Sequence, residues 1–249
     1  MNAKFFSDVK VLWLEQILEI RSYWVMYAGL SLLLPLIMVF GFSRFGGDMS
    51  DPNILVRMIG GTMIFAIAQE GFSTMAVRVS AMHRDGMLIY YASLPIRKTA
   101  LILALVLSRA VLLIPPMLVP ITIAPLLYPV TIHYDGTLIL LLPLLTLLFS
   151  TLGVAFGLLV ESVEIAQSTT YALLFVLVLA APVFIPWESL PVPLQIFALA
   201  LPFTYAADAL HMALTGTIAP PFWIDIGVLV VMLMAALFIL ERRLRWRLE

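Results

Sequence analysis

Side chains that could do chemistry are few in this sequence, and they form no recognisable catalytic pattern. Only three lysines occur, Lys4, Lys10 and Lys98, and none of them follows a glycine. The G-x-x-x-x-G-K-[ST] loop, whose backbone amides and lysine hold nucleotide phosphates, is therefore missing. The sequence predicts that this chain has no machinery of its own for hydrolysing ATP.

Metal and nucleophile chemistry are also poorly supported. His83, His133 and His211 lie far apart in the sequence, and no H-E-x-x-H or G-x-S-x-G motif occurs. The absence of cysteine excludes disulfides and thiolate metal sites. Asp208 and His211 fall one helical turn apart, but two ligands do not make a metal site. We predict no catalytic residue, no metal and no cofactor bound by this chain.

Two ionisable residues, Glu70 and Arg109, lie inside long apolar runs. A charge near the centre of a bilayer costs roughly 2.5 to 3.5 kcal/mol on insertion scales, so both need a partner or water. Three arrangements are open: a structural ion pair between them, a polar lining of a passage through the membrane, or snorkelling of Arg109 to the inner interface.

Thr204, Asp208 and His211 recur at positions i, i+4 and i+7, which places them on one face of a short helix. This polar stripe indicates either an outer gate or a face that is simply solvated.

The composition of the chain indicates the environment that surrounds these residues. Of 249 residues, 63% are hydrophobic and 12% charged, and the mean hydropathy is +1.08, whereas soluble domains carry roughly 25% charge. The net charge of -1 argues against a nucleic-acid partner, which requires a concentrated basic face. The sequence predicts an all-α membrane protein with a single transmembrane domain, residues 1–249, surrounded by lipid.

Six apolar runs are long enough to span a bilayer, since a spanning helix needs roughly 20 residues. They lie near 23–43, 55–76, 99–127, 137–160, 168–185 and 222–240. Six spans put both ends of the chain on one side, and short cytoplasmic loops collect positive charge. Arg44 and Arg57 fall on the opposite side, and Arg109 falls within a span. The basic residues on the side of the termini are Lys4, Lys10, Arg21, Arg78, Arg84, Arg97, Lys98, Arg242, Arg243, Arg245 and Arg247. We therefore expect cytoplasmic termini, with residues 241–249 as a basic tail.

Residues 1–22 alternate apolar and polar positions at helical spacing. The apolar set is Phe5, Phe6, Val9, Leu12, Trp13, Ile17 and Ile20. This pattern is typical of an amphipathic helix in the inner interface; the alternative is an extension of the first span into the cytosol.

Prolines and glycines predict irregularities in the spans. Four prolines in the third run, Pro115, Pro116, Pro120 and Pro125, predict a broken or bent helix. Gly153 and Gly157 in the fourth run have the spacing that permits close helix contact. Residues 186–221 are proline-rich and hold only short apolar stretches, so we expect short re-entrant outer helices between the fifth and sixth spans.

The loop of residues 77–99 is the longest one predicted on the cytoplasmic side. Gly86 can end a helix in a left-handed turn, and Pro95 pushes Leu94 out of the helical region. A short helix is thereby isolated between two spans, and it carries Tyr90 and Tyr91. Tyrosines suit a protein interface, but they equally suit an interfacial segment at headgroup depth.

Two stretches carry a family resemblance. The run R-D-G-M-L-I-Y-Y-A-S-L-P-I from Arg84 to Ile96 resembles the coupling-helix loop of type-2 ABC transporter permeases, the transmembrane subunits of ABC-2 family exporters. The stretch from Pro182 to Gln195 and the run L-P-F-T-Y-A-A-D-A-L-H from Leu201 to His211 are similar to the outer segment of that family. The family usually has Arg where His211 stands, and often Glu where Tyr90 or Tyr91 stands.

The resemblance implies a permease of the cell inner (plasma) membrane that exports amphipathic or hydrophobic molecules. It also implies two separate ATPase subunits that bind ATP and Mg, and a second permease copy or a sister permease. The residues matched to the ATPase contact are Arg84, Asp85, Gly86, Tyr90, Tyr91, Leu94 and Pro95. Two alternatives are an ion-coupled secondary transporter, which usually shows internal repeats, and a membrane anchor for a cytosolic partner. A membrane-embedded enzyme would need a nucleophile or metal cluster, and the sequence shows neither.

Overall fold

The computed structural model describes residues 2–21, 52–96, 98–128 and 130–243, together with the single residues 29, 33 and 37. The first predicted span, near 23–43, lies outside the described residues except at those three positions. Arg44 and Arg97 and the last six residues of the basic tail also lie outside them.

The described residues form helices and connecting turns and contain no strand. The all-α prediction is therefore confirmed for this part of the chain. In chain order the helices are α1 (Asn2–Arg21), α2 (Pro52–Ala68), a π-helical turn (Gln69–Thr74), α3 (Met75–Arg84), α4 (Met87–Ser93), α5 (Lys98–Leu127), α6 (Thr137–Gly157), α7 (Val163–Ala180), a 3-10 turn (Trp187–Ser189), α8 (Val192–Ala198), α9 (Pro202–Thr215) and α10 (Pro220–Arg243).

Five helices among the described residues are long and apolar enough to cross a membrane. They are Asn53–Arg84, Thr99–Leu126, Thr137–Gly157, Val163–Ala180 and Pro220–Glu241. The count rises to six if α8 and α9, which meet at an angle of 88°, form one bent span. A multi-pass membrane protein is thus confirmed, and short helices do fill the predicted outer segment.

The fifth span begins and ends earlier than predicted, at Val163 and Ala180. Its start is fixed by Ser162, whose side-chain oxygen accepts a hydrogen bond from the backbone N–H of Ile165 and so caps the helix. The backbone of Ala181 is extended, as expected for a residue that precedes a proline.

The third span is not broken, because α5 continues as one helix from Lys98 to Leu127; a bend in it stays a prediction. A proline at position i leaves the carbonyl of residue i−4 without its helical partner. Pro125 does this to Ile121, but the hydroxyl of Tyr134 donates a hydrogen bond of 2.9 Å to that carbonyl. A side chain from the following loop therefore replaces the missing backbone donor.

The centre of the bundle is a close crossing between α6 and the long helix that comprises α2, the π-helical turn and α3. A Cβ added to Gly153 of α6 would collide with the carbonyl oxygens of Gly71 and Phe72, the second at 2.6 Å. A Cβ at Gly157 would lie 2.8 Å from the Cβ of Val79. The predicted close approach through these two glycines is confirmed.

This crossing predicts the effect of adding one methyl group. Gly153→Ala should lower the stability of the protein by roughly 1 to 3 kcal/mol, because a backbone carbonyl must move to admit the Cβ. Gly227→Ala in α10 is the matched control, since its Cβ would meet nothing within 4 Å; it should be neutral or slightly stabilising. Thermal unfolding in detergent measures both, and equal melting temperatures would contradict the account.

Candidate functional site

The short helix α4 is fixed at both ends by backbone geometry. Gly86 adopts φ 72° and ψ 7°, a left-handed conformation that ends the preceding helix and starts the next one. Leu94 is extended, at φ -79° and ψ 151°, directly before Pro95. Both predicted boundaries are confirmed, and only seven residues lie between them.

The two tyrosines of α4 have opposite environments. Tyr91 is 1% exposed, and its hydroxyl donates a hydrogen bond of 2.9 Å to the carboxylate of Glu15 in α1. Tyr90 is 60% exposed, and the two rings meet edge to face at 5.6 Å. Sequence analysis proposed both as contacts for a partner; the structure places Tyr91 inside the chain, where it fastens α4 to α1.

The outward face of α4 is a mixed apolar and charged surface. Met87, Ile89 and Tyr90 are its exposed apolar side chains. Arg84 and Asp85 pair at 3.0 Å between Nε and Oδ1 at one end, both about half exposed. Pro95 is exposed at the other end, and Leu94 is half-buried beside it. We use the name "outward face of α4" for Arg84, Asp85, Met87, Ile89, Tyr90 and Pro95.

Met87 and Ile89 were missed by sequence analysis. Their sequence signal was two apolar residues just before Tyr90, on a short helix in a loop predicted to be cytosolic. It could not be used without knowing which side of α4 faces the protein, and that side is set by the contact between Tyr91 and α1.

Polar contacts hold α3, the helix that leads into α4, to its neighbours. The guanidinium of Arg78 in α3 donates a hydrogen bond of 2.6 Å to the side-chain oxygen of Gln16 in α1. Ser80 donates to the backbone carbonyl of Val160, at 2.6 Å, and so links α3 to the loop before α7. Gln16 and Ser80 are both buried, so these bonds are shielded from competing water.

An apolar cluster fills the space between α1, α3, α4 and α5. Its buried members include Val9, Leu12, Met75, Val79, Met82, Tyr91, Leu101 and Leu105. The residues Phe6, Val11, Leu14 and Leu18 of α1 are exposed instead. The N-terminal segment is therefore a helix packed mainly against α5, with Tyr91 of α4 beside it, and its position relative to a membrane stays a prediction.

Glu70 is buried in the π-helical turn, at the middle of the long helix. α5 packs against both α2 and this turn. Arg109 lies in α5, but its side chain is outside the described part of the structure. The pairing of Glu70 with Arg109 remains a prediction that this arrangement of helices permits.

The stripe predicted as an outer gate divides into residues with different roles. Thr204 is buried, and its hydroxyl donates a hydrogen bond of 2.6 Å to the carbonyl of Ala198, which fastens the corner between α8 and α9. Asp208 faces Arg57 of α2, with 3.8 Å between Oδ1 and NH1. The Nδ1 atom of His211 is buried and has no hydrogen-bond partner among the described residues.

Arg57 and Asp225 are polar residues near this stripe that sequence analysis did not assign to it. Arg57 also donates a hydrogen bond of 3.1 Å to the carbonyl of Pro182. Asp225, in α10, is buried. Each stands in a mostly apolar run, which is the signal that could have identified it. In the described part of the chain, no three His, Asp or Glu side chains gather closely enough to hold a metal ion.

A comparison with protein families finds a match over most of the chain. The sequence model described as "ABC-2 type transporter" matches residues 7–215. The chain belongs to the ABC-2 type transporter family. The protein is thus the permease subunit of an ABC transporter, and its family implies pairing with ABC ATPase subunits. The match covers α4 and the α8–α9 pair and ends before α10. No curated protein matches this sequence.

The two tyrosines of the permease offer a matched test of its internal packing. Tyr91→Phe removes the hydroxyl that binds Glu15, so we expect a loss of about 0.5 to 1.5 kcal/mol in the free energy of unfolding. Tyr90→Phe should leave stability unchanged, because its exposed hydroxyl makes no hydrogen bond to any residue that the structure describes. Thermal unfolding in detergent distinguishes them, and a Tyr90→Phe variant that is the less stable of the two would refute the assignment of faces.

Proposed function

We propose that this permease is the transmembrane subunit of an ATP-driven exporter, and that the outward face of α4 receives the movement of a separate ATPase subunit. The observation that carries the proposal is the construction of α4. It is short, it is delimited by Gly86 and Pro95, and it is anchored through buried Tyr91 while Met87, Ile89 and Tyr90 stand exposed.

The chemistry of this face suits a protein partner. Tyrosine and methionine are enriched at interfaces, and charged residues are typical of the rim. Arg84 and Asp85 at the end of α4 provide such a rim, since both are about half exposed. A rigid contact of this kind transmits displacement to the helices attached to it instead of absorbing it in loop motion.

The sidedness of the permease follows from its basic residues. Most of its Lys and Arg residues belong to α1, the α3–α5 region and the C-terminal tail, and positive charge accumulates on the cytoplasmic side. We place α4 and both termini in the cytoplasm and the α8–α9 pair at the outer surface of the inner (plasma) membrane. The ATP and Mg²⁺ would then be bound by two ATPase subunits beneath α4.

The cargo we propose is amphipathic or hydrophobic and moves outward. The surface that α7 and α10 expose is dominated by Leu, Ile, Val, Phe, Met and Trp side chains, which suits drugs, lipids or lipid-linked molecules. A second permease copy or a sister permease completes the transmembrane unit. Thr204, Asp208 and His211 belong to its outer gate in this proposal, and Glu70 pairs with Arg109 within the membrane.

Truncating the outward face of α4 tests the proposal. The permease is purified from its native membranes together with the ATP-hydrolysing chain that accompanies it. The double variant Ile89→Ala with Tyr90→Ala should reduce both that chain and its ATP hydrolysis roughly ten-fold or more, because truncating a central interface residue often costs 2 kcal/mol or more. Phe6→Ala, which changes an exposed apolar residue of α1, should leave both unchanged.

Two outcomes would overturn the proposal. Full ATPase association and hydrolysis in the double variant would show that α4 is not the contact. If no ATP-hydrolysing chain accompanies the permease at all, an ion-coupled transporter or an anchor becomes the better account. Uptake of a lipophilic fluorescent dye into inside-out vesicles, driven by ATP or by an ion gradient, separates those two.

A further inference from the structure

Arg57 joins three elements at the end of the long helix that lies farthest from α4. It belongs to α2, and its NH1 atom donates to the carbonyl of Pro182, which follows α7. The same atom lies 3.8 Å from Oδ1 of Asp208 in α9. The Arg57 side chain is only 17% exposed, so the guanidinium end of these contacts is largely shielded from water. We call Arg57, Pro182 and Asp208 the outer clasp.

Two glycines in the next turn of α2 bring the same elements close. A Cβ on Gly60 would lie 3.5 Å from Leu214 and 3.7 Å from Leu210, both in α9. A Cβ on Gly61 would lie 2.6 Å from the ring of Phe184 and 2.9 Å from the carbonyl of Val183. The surface of α2 beside Arg57 is therefore shaped to receive α9 on one side and residues 182–184 on the other.

The polar groups around the outer clasp are only partly satisfied. The Asp208 side chain is 39% exposed, so its contact with Arg57 is open to water on one side. His211, next along the same face of α9, has a buried Nδ1 atom without a described hydrogen-bond partner. Water that reaches an ion pair weakens it, so the 3.8 Å contact between Asp208 and Arg57 can separate at small cost. The contact between α9 and α2 is thus suited to opening and closing.

One uninterrupted helix connects the outer clasp with α4. The stretch Asn53–Arg84 is 32 residues long, and Arg57 lies about 40 Å from its far end at a rise of about 1.5 Å per residue. Gly86 and α4 follow directly. A displacement of α4 can therefore reach Arg57 along a single element.

We propose that Arg57 is a positioning residue for transport: its clasp on Asp208 and Pro182 holds α9 against α2 and keeps the outer end of the cargo path closed. Release of Asp208 from Arg57 then accompanies cargo exit. This inference rests on the proposed function, because it takes α8 and α9 as the outer end of an exporter. It adds Arg57 to a gate for which sequence analysis named only residues of α9.

Because residues 1–249 contain no cysteine, a single introduced thiol makes opening directly measurable. Leu210 in α9 is fully buried against Gly60. In the complex with its ATPase, Leu210→Cys should react slowly with a membrane-impermeant maleimide at rest and faster during ATP hydrolysis. Adding Arg57→Gln should raise the resting rate roughly ten-fold, since Gln carries no charge for the ion pair with Asp208 or for the hydrogen bond to Pro182, and a loss of that size shifts an opening equilibrium by about that factor. Arg57→Lys, which keeps the charge, should restore slow labelling in part.

Leu145→Cys is the matched control, because Leu145 is equally buried but lies in the middle of α6. It should stay unreactive in every background. If Arg57→Gln also exposes Cys at position 145, the substitution has loosened the whole bundle, and the assignment of a local clasp is overturned. An unchanged resting rate at position 210 overturns it as well.

A reversible crosslink provides a second measurement that does not depend on removing Arg57. The pair Gly60→Cys and Leu210→Cys should form a disulfide, since a Cβ at position 60 would lie 3.7 Å from Cγ of Leu210, close to where the sulfur of Cys at position 210 would stand. Oxidation should abolish ATP-driven uptake of a lipophilic fluorescent dye by inside-out vesicles, and reductant should restore it. Uptake that continues in the crosslinked permease overturns the clasp, while the α4 variants test the ATP-driven function separately.

Discussion

The structure depends on one close contact, in which Gly153 of α6 lies against the backbone carbonyls of Gly71 and Phe72. Because no side chain separates the two backbones, the long helix cannot slide along α6 at this point, and a displacement of one end turns the helix about the contact. The contact falls at the π-helical turn, where the helix is locally widened. The bundle therefore has a fixed point about halfway along its most buried helix. The residues proposed to act in transport lie at the two ends of that helix.

The two ends of that helix are held by different kinds of contact. At one end, Tyr91 ties α4 to α1, and Arg78 ties the preceding helix α3 to the buried Gln16 of α1, so the outward face of α4 is a firm platform. At the other end, Arg57 reaches a carbonyl 125 residues away in sequence, that of Pro182, and a half-exposed carboxylate. Because α4 is held firmly at one end and the outer clasp is held weakly at the other, a displacement of α4 would open the contact between α9 and α2.

The features that the sequence predicted correctly are those that neighbouring residues determine. Gly86 and Pro95 delimit α4 as expected, because Gly86 permits a left-handed turn and Pro95 restricts the backbone of Leu94. Long apolar runs predicted the five span-length helices of the described residues, because length and composition suffice for that. Long-range contacts could not be foreseen. The continuity of α5 depends on Tyr134, which comes from the loop beyond it. The opposite environments of Tyr90 and Tyr91 depend on the packing of α1, which no periodicity within α4 can reveal.

The most direct test of the central claim is a photo-crosslink from the outward face of α4. A benzophenone amino acid is placed at position 90, and separately at position 199, where Leu199 is exposed beside the corner of α8 and α9. In native membranes the account predicts a crosslink between position 90 and an ATP-binding chain, and none from position 199. A crosslink to that chain from position 199 alone, or labelling of lipid only at position 90, would contradict it.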